Sequence, residues 1–373
     1  MKTWIEISRQ ALRNNYASLK RAVQSAQVLA VVKSNAYGHG LALVGEALKD
    51  VADGFAVDRV EEGMELRKLG VQRPILVLGY TDQELLTQAI EARLELTIAS
   101  FEQLQQLHFT TQEKRGVMVV HLEVETGLYR QGIPHEELSM VATLLKRMPW
   151  VEVKGLYTHF ANVEEDETSA YPLEQLRRFA EVEHELRAAG IQPRVRHTAC
   201  SAAALGLPAS RFEAVRAGIA LYGVWSSDLT KRQAEALGIP SGALTPALSW
   251  KTIVAQTKVV PAGETIGYAR SVTTAKPTRL AILPIGYYDG YTRLLSSKGA
   301  VEIKGVLCPV VGRICMNMCM VDVTAVSGDV PTGTPVTLIG PTQPLEAVYE
   351  AAGTIHHDIL ARLSSTIPRR LVD

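Results

Sequence analysis

The sequence predicts an α/β chain, with a (β/α)8 barrel of the TIM type at its N-terminal end and a mostly β C-terminal domain after it. Three observations lead there. Short apolar runs recur between residues 27 and 216, eight in all. Most are separated by stretches whose apolar residues return at every third or fourth position, the period of an amphipathic helix. After Trp225 that alternation stops, and short β-type runs punctuated by Gly and Pro take over. An open doubly wound sheet is the other arrangement that such periodicity allows.

Taken in order, the predicted barrel strands are 27–33, 54–57, 74–79, 94–99, 117–125, 153–159, 194–199 and 213–216. Between them lie RVEEGMELRKLG and YPLEQLRRFAEVEHELRAAG, whose final residues, Gly70 and Gly190, stand where helix C-caps belong. Residues 226–246 (SSDLTKRQAEALGIPSGALTP) are mixed and rich in small residues, and are expected to be a linker. The boundary is set inside it, with a barrel over 1–235 and a β domain over 236–373. From 248 to 339 the runs WKTIVAQTKVV, RLAILPIGYYDG, AVEIKG, MVDVTAV and PVTLIG predict mostly antiparallel strands. A helix is expected over 345–352, then a tail.

Charge and cysteine content narrow the function. Lys and Arg number 39, Asp and Glu also 39, so there is no basic excess to displace the counterions of a nucleic acid. The N-terminus lacks the apolar core of a signal peptide, and no run of eighteen apolar residues could span a bilayer. Cys200, Cys308, Cys315 and Cys319 are too few for a disulfide framework in a chain of 373 residues. No second Cys or His pair accompanies Cys315 and Cys319 at zinc-site spacing, so no metal is expected. A reduced, cytoplasmic enzyme without membrane or nucleic-acid partners fits this composition.

Polar residues gather at the predicted strand ends. Lys33 ends the first strand, Arg130 follows the fifth, His159 closes the sixth, Ser201 follows the seventh and Arg216 closes the eighth. A barrel brings those ends to one face, where its active site lies. Lys33 is the most informative of them. Its stem leaves the buried run VLAVV and enters the Gly-containing turn SNAYGHG. Partial desolvation there penalises the ammonium form and suits the amine to Schiff-base chemistry.

The segment AVVKSNAYGHG closely resembles the pyridoxal-phosphate attachment motif of alanine racemases, in which this lysine carries the cofactor. The likeness extends along nearly the whole chain, through WIEISRQALRNNY, VETGLYRQGI, GLYTHFANVEEDE, HTACSAAAL, VRAGIALYG, GETIGYARS, LPIGYYDGYTR and VGRICMNMCMVDVT. It implies an N-terminal barrel, a C-terminal β domain and a head-to-tail homodimer. It also implies a small amino acid as substrate, alanine first.

The resemblance assigns roles residue by residue. Lys33 would hold pyridoxal 5′-phosphate and act as a base. Tyr268, in GETIGYARS, matches the second base, supplied by the partner subunit on the opposite face of the α-carbon. Tyrosine is a poor base at its ordinary pKa of ~10, so neighbouring positive charge must favour the phenolate. Tyr37, Ser201 and the backbone amides of Gly218 and Ile219 match the phosphate-binding set, and such amides suit an anion. Arg216 would face the pyridine nitrogen. A guanidinium donates a hydrogen bond there without giving up a full proton. His197 would orient Arg216, and His159 would pack beside the cofactor ring. Arg130 would grip the substrate carboxylate, a bidentate task suited to arginine, with the backbone of Met316 reaching it from across the dimer. Glu164, Tyr287, Arg293, Arg313 and Ile355 match the lining of a narrow entry channel.

Four positions depart from the family pattern. Glu123 stands where many members carry a lysine that becomes carboxylated. Its carboxylate is expected to replace the carbamate in bracing Arg130. Cys200 replaces an asparagine beside Ser201. Asn317 replaces an aspartate, removing a charge. His357 aligns with a tyrosine that narrows the substrate pocket and reaches toward the phosphate, so a roomier or more polar pocket is expected. The last two changes admit serine or a broader set of small amino acids. An amino-acid decarboxylase shares the two-domain plan, and a non-catalytic cofactor carrier resembles the barrel alone. AYGHG, Arg216 and Tyr268 favour a racemase over both.

Overall fold

The computed structural model describes residues 1–111 and 117–373. The chain forms two compact units. One comprises Gln10–Ala36 and Val44–Pro246, the other Met1–Arg9, Tyr37–Leu43 and Ala247–Asp373.

The first unit is built on eight parallel strands: Gln27–Val31, Gly54–Val57, Ile75–Val77, Glu95–Ile98, Met118–Glu123, Val151–Tyr157, Val195–Arg196 and Ala214–Ala217. Each falls within or overlaps its predicted segment. The eighth strand pairs with the first, Leu29 opposite Arg216, so the sheet curls into a nearly closed barrel. The remaining seam, between the seventh and eighth strands, is bridged by the Arg216 amide donating to the Ala199 carbonyl at 2.9 Å. The open doubly wound alternative is thereby excluded.

Local chemistry explains the helices. In Val60–Lys68, Glu61 and Glu62 occupy the first turn and Arg67 and Lys68 the last, opposing the helix dipole at both ends. Gly70 and Gly190 follow their helices with φ of +84° each, the left-handed conformation that ends a helix. The expected linker is instead partly helical. Asp228–Ala236 is an α-helix whose N-cap, Ser227, accepts from the Thr230 amide at 3.1 Å. Burial of Thr230 and Ala234 anchors it, so packing outweighs the run of small residues that suggested a loop.

In the second unit a six-stranded sheet runs in the order Val306–Pro309, Ala300–Ile303, Pro335–Ile339, Leu248–Ile253, Thr3–Ser8, Arg369–Val372. Only the last pair is parallel. Gln256–Val260, Thr278–Leu283 and Cys319–Asp322 form an antiparallel sheet of three. Thr3–Ser8 alternates buried and half-buried residues, and Ile5 and Ile7 are wholly buried. The helix Leu345–Ala352 stands as predicted, and the expected tail holds a further helix, His356–Ala361, besides its strand. Among the described residues, no helix is long and apolar enough to cross a membrane.

Candidate active site

Lys33 follows the first barrel strand and opens an unusual turn. Ser34, Asn35, Ala36 and Tyr37 all take left-handed backbone angles, with φ between 53° and 56°. For L-residues that conformation costs roughly 1–2 kcal/mol each, and such strain persists where surrounding structure enforces it. Two hydrogen bonds do so here. The Ala36 amide donates to the Val32 carbonyl at 2.9 Å. The Asn35 amide donates to the Glu62 carboxylate at 3.2 Å, which also accepts from the Asp58 amide at 2.9 Å. The Lys33 side chain is 35% exposed, and its Nζ lies 3.6 Å from Asp58 Oδ1. Neither Asp58 nor Glu62 belongs to a recognisable motif.

Arg216, on the parallel neighbour of the Lys33 strand, is 4% exposed. Its Nη1 donates to the His197 carbonyl and, at 2.9 Å, to His197 Nδ1. Its Nη2 donates to the Thr158 carbonyl at 2.8 Å and lies 3.3 Å from both the Thr198 carbonyl and His159 Nδ1. The Tyr157 ring lies flat against His197 and 4.7 Å beneath the guanidinium. Burial lowers the Arg216 pKa but leaves an arginine a cation. Burial, then the charges of Arg216, Arg130 and Lys33, hold His159 far below the ordinary imidazole value, so it is neutral. The Arg216 Nε–H hydrogen-bonds to no group among the described residues.

On the same strand's far side, Ser201 Oγ accepts from the Gly218 amide at 2.9 Å and the Ala220 amide at 3.3 Å. The Ile219 amide has no acceptor among the described residues. Gly218 and Ile219, expected to act alike, therefore differ: one amide is engaged by Ser201 and the other is open. Cys200 Sγ lies 3.9 Å from the half-buried Glu164 carboxylate. Burial raises both groups, Cys200 to about 11, so the thiol stays protonated and can donate to Glu164.

Glu123 departs from expectation. Its carboxylate accepts from the Gln131 amide and, at 3.0 Å, from the Tyr157 hydroxyl, and it makes no ion pair with Arg130. Gln131 also donates to the Leu78 carbonyl at 3.0 Å, while Arg130 acts on Glu123 through its charge, without a hydrogen bond. Arg130 is exposed on a loop braced through its backbone. The Glu125 carboxylate accepts from the amides of Gly127, Leu128 and Tyr129, while the Ile133 amide returns to the Glu123 carbonyl at 2.7 Å.

The second unit carries the other predicted residues. Tyr37 and His357 lie with ring centroids 5.7 Å apart. Tyr268 sits on a turn with φ of +77° at Gly267 and +62° at Ala269, and is 69% exposed. Tyr287 and Met316 are brought together by backbone: the Tyr287 amide donates to the Cys315 carbonyl and the Tyr288 amide to the Met316 carbonyl, at 3.1 and 3.0 Å. A Cβ at Gly286 would stand 2.2 Å from the Cys315 carbonyl oxygen, so only glycine permits this approach. Met316 and Asn317 form the tip of the turn closed by the Cys315 amide on the Met318 carbonyl. Met316, Arg293, Arg313 and Ile355 are exposed.

Residues 7–226 match the family described as alanine racemase, N-terminal domain, and residues 247–371 its C-terminal domain. The chain is similar to an alanine racemase of Clostridium novyi, 36% identical over 375 residues, which spans 98% of this chain and 94% of the relative. One of Methanococcus maripaludis is also 36% identical, over 374 residues, covering 98% and 97%. Among solved structures, an alanine racemase of Clostridium difficile superposes with a TM-score of 0.92 at 32% identity, covering 100% of this chain and 96% of the other. An alanine racemase of Bartonella henselae, solved with covalently bound pyridoxal phosphate, superposes at 0.87 with 29% identity and complete coverage of both, 100% and 100%.

Proposed function

From the premise that the chain belongs to the alanine racemase family, we propose that it interconverts L- and D-alanine with two bases, Lys33 and Tyr268 of the partner subunit. The enzyme is an isomerase and its cofactor is pyridoxal 5′-phosphate. The barrel residues fit that group. Arg216 carries the fit: its Nη donors are committed to His197, Thr158 and Thr198, while its Nε–H has no acceptor among the described residues. A buried arginine with one donor left over calls for an acceptor such as a pyridine nitrogen. The open Ile219 amide and the Ser201 hydroxyl, whose own proton is uncommitted, suit phosphate oxygens, together with Tyr37. When bound, pyridoxal phosphate supplies the electron sink that lets the α-proton leave.

The chain's own residues would then hold the substrate and move the proton. Arg130 binds the substrate carboxylate with the amide of the partner subunit's Met316. Lys33 Nζ takes or returns the proton on one face, and the hydroxyl of Tyr268 of the partner subunit does so on the other. His197 fixes Arg216, and neutral His159 packs by the ring without adding charge. In this reading residues 1–235 carry the cofactor, and residues 236–373 complete the partner subunit's site in a cytoplasmic head-to-tail homodimer. The exposure of Tyr268 and Met316 supports that assembly, and four free cysteines suit a reducing compartment. Glu164, Tyr287, Arg293, Arg313 and Ile355 line the entrance. The shorter imidazole at His357, with Asn317, favours a second reading in which serine is also accepted.

The test is to incubate the protein with each L-amino acid in deuterated water and to measure enantiomer ratio, α-deuteration and carbon dioxide. D-alanine carrying solvent deuterium is the expected product. Release of carbon dioxide would replace the reading with a decarboxylase. Lys33→Ala should abolish both racemisation and the visible absorbance of the bound cofactor.

A further inference from the structure

Behind Arg216 the barrel interior holds a column of polar groups where such barrels usually pack branched apolar side chains. Glu95, Thr97, His121 and Glu123 alternate along two paired strands, Thr97 opposite His121, so all point to one side. A register shift between Val120 and His121 turns the next strand: Val153 faces Val120, Gly155 faces His121, and Lys154 is the extra residue between them. A Cβ at Gly155 would stand 2.0 Å from His121 Nδ1, so the glycine makes room for the ring. Lys154 Nζ meets Glu95 Oε1, Glu95 Oε2 lies 2.9 Å from His121 Nε2, and His121 Nδ1 lies 2.7 Å from His197 Nε2. His197 Nδ1 is the atom that meets Arg216.

We propose that Lys154, Glu95, His121 and His197 form a one-way hydrogen-bond relay that keeps a bare imidazole nitrogen against Arg216, which makes Glu95 and His121 positioning residues for that arginine. The direction follows from the ends. Arginine only donates, so His197 Nδ1 accepts, and the His197 proton sits on Nε2. That proton is donated to His121 Nδ1, which leaves the His121 proton on Nε2, donated in turn to Glu95. Lysine also only donates, so Glu95 accepts at both oxygens and must be a carboxylate. Burial pushes both histidines below the ordinary imidazole value, and they stay neutral. Burial would raise Glu95, but hydrogen bonds from His121 and Lys154 bring it below its ordinary value. Every donor in the chain thus has one acceptor, and reversing any link would set two N–H groups face to face.

This inference rests on the racemase reading only for its effect on turnover; the relay itself can be read separately. In E95Q the new amide must give its oxygen to Lys154, so its NH2 group confronts His121 Nε2 and the relay reverses. In E95Q/K154M the oxygen is free to turn toward His121, and the original direction returns. K154M alone keeps Glu95 and the direction. The full-length protein, labelled with 15N-histidine, reports the tautomers by NMR, and kcat/KM and melting temperature are measured beside them. Wild type and K154M should show His121 and His197 protonated at Nε2. E95Q should move the His197 proton to Nδ1 and lower kcat/KM about ten- to a hundredfold, the usual scale for groups that orient a site residue. The double variant should recover the Nε2 tautomer and most of the rate. Unchanged tautomers in E95Q, or a double variant no better than E95Q, would overturn the proposal. Absence of racemisation in wild type with the tautomers as stated would sink the function and leave the relay standing.

Discussion

The two units present their functional residues in opposite ways. In the barrel, Arg216, His197 and His121 are buried and each is held by at least two polar partners. In the β unit, Tyr268, Met316 and Ile355 stand exposed on turns whose backbone, rather than whose side chains, is fixed. Buried networks set the charge and tautomer of their members because no water is there to compete. Exposed turn residues are suited to completing a site that lies outside their own unit. The barrel residues should therefore be sensitive in stability and function together, and the turn residues in function alone.

The largest effect is expected of Tyr268→Phe. It removes one hydroxyl at an exposed position, so the melting temperature should not change. Racemisation should fall about a hundredfold to ten-thousandfold, the contribution of a positioned acid–base group. Loss of both stability and activity would place Tyr268 with the barrel residues.

A smaller effect separates the units by pH. In the β unit burial would raise the Glu6 carboxyl, but hydrogen bonds from Arg370, Lys251 and Trp4 outweigh burial and bring it from 4.5 down to about 2. A depressed carboxyl stabilises the fold above its unfolded value, and that stability is lost as pH falls from about 4.5 toward 2. Glu6→Gln should therefore flatten the acid branch of the melting profile, by about 1.5–3 kcal/mol, the scale of one charged hydrogen bond. Equal acid loss in both proteins would remove Glu6 from the account.

Much of the barrel is legible in the sequence because parallel strands buried on both faces leave runs such as VLAVV between helical patterns. The β unit is less so. Thr3–Ser8 pairs with Leu248–Ile253 across more than 240 residues, with Thr3 opposite Thr252, and no local pattern reports such a partner. The helix Asp228–Ala236 was hidden by the small residues around it. Within the site, Lys33, Arg216 and Tyr268 stand out through their motifs. Asp58, Glu62, Gln131 and Tyr157 do not, because they act through contacts that only the folded chain creates. Glu123 shows the same limit: its place in the motif suggested Arg130 as partner, and packing gave it Gln131 and Tyr157. A signal for the interior column does exist in MVVHLE, where His121 and Glu123 stand two apart in a strand otherwise apolar.

If each site joins Lys33 of one chain to Tyr268 of the partner subunit, two variants that each lack one of these groups should complement each other. Lys33→Ala and Tyr268→Phe should each be nearly inactive alone. Unfolded together in equal amounts and refolded with cofactor, they should form mixed dimers in which one site of two is intact. About a quarter of wild-type activity should return, as random pairing in a two-fold dimer requires. No recovery, with mixed dimers confirmed by mass, would contradict the shared site.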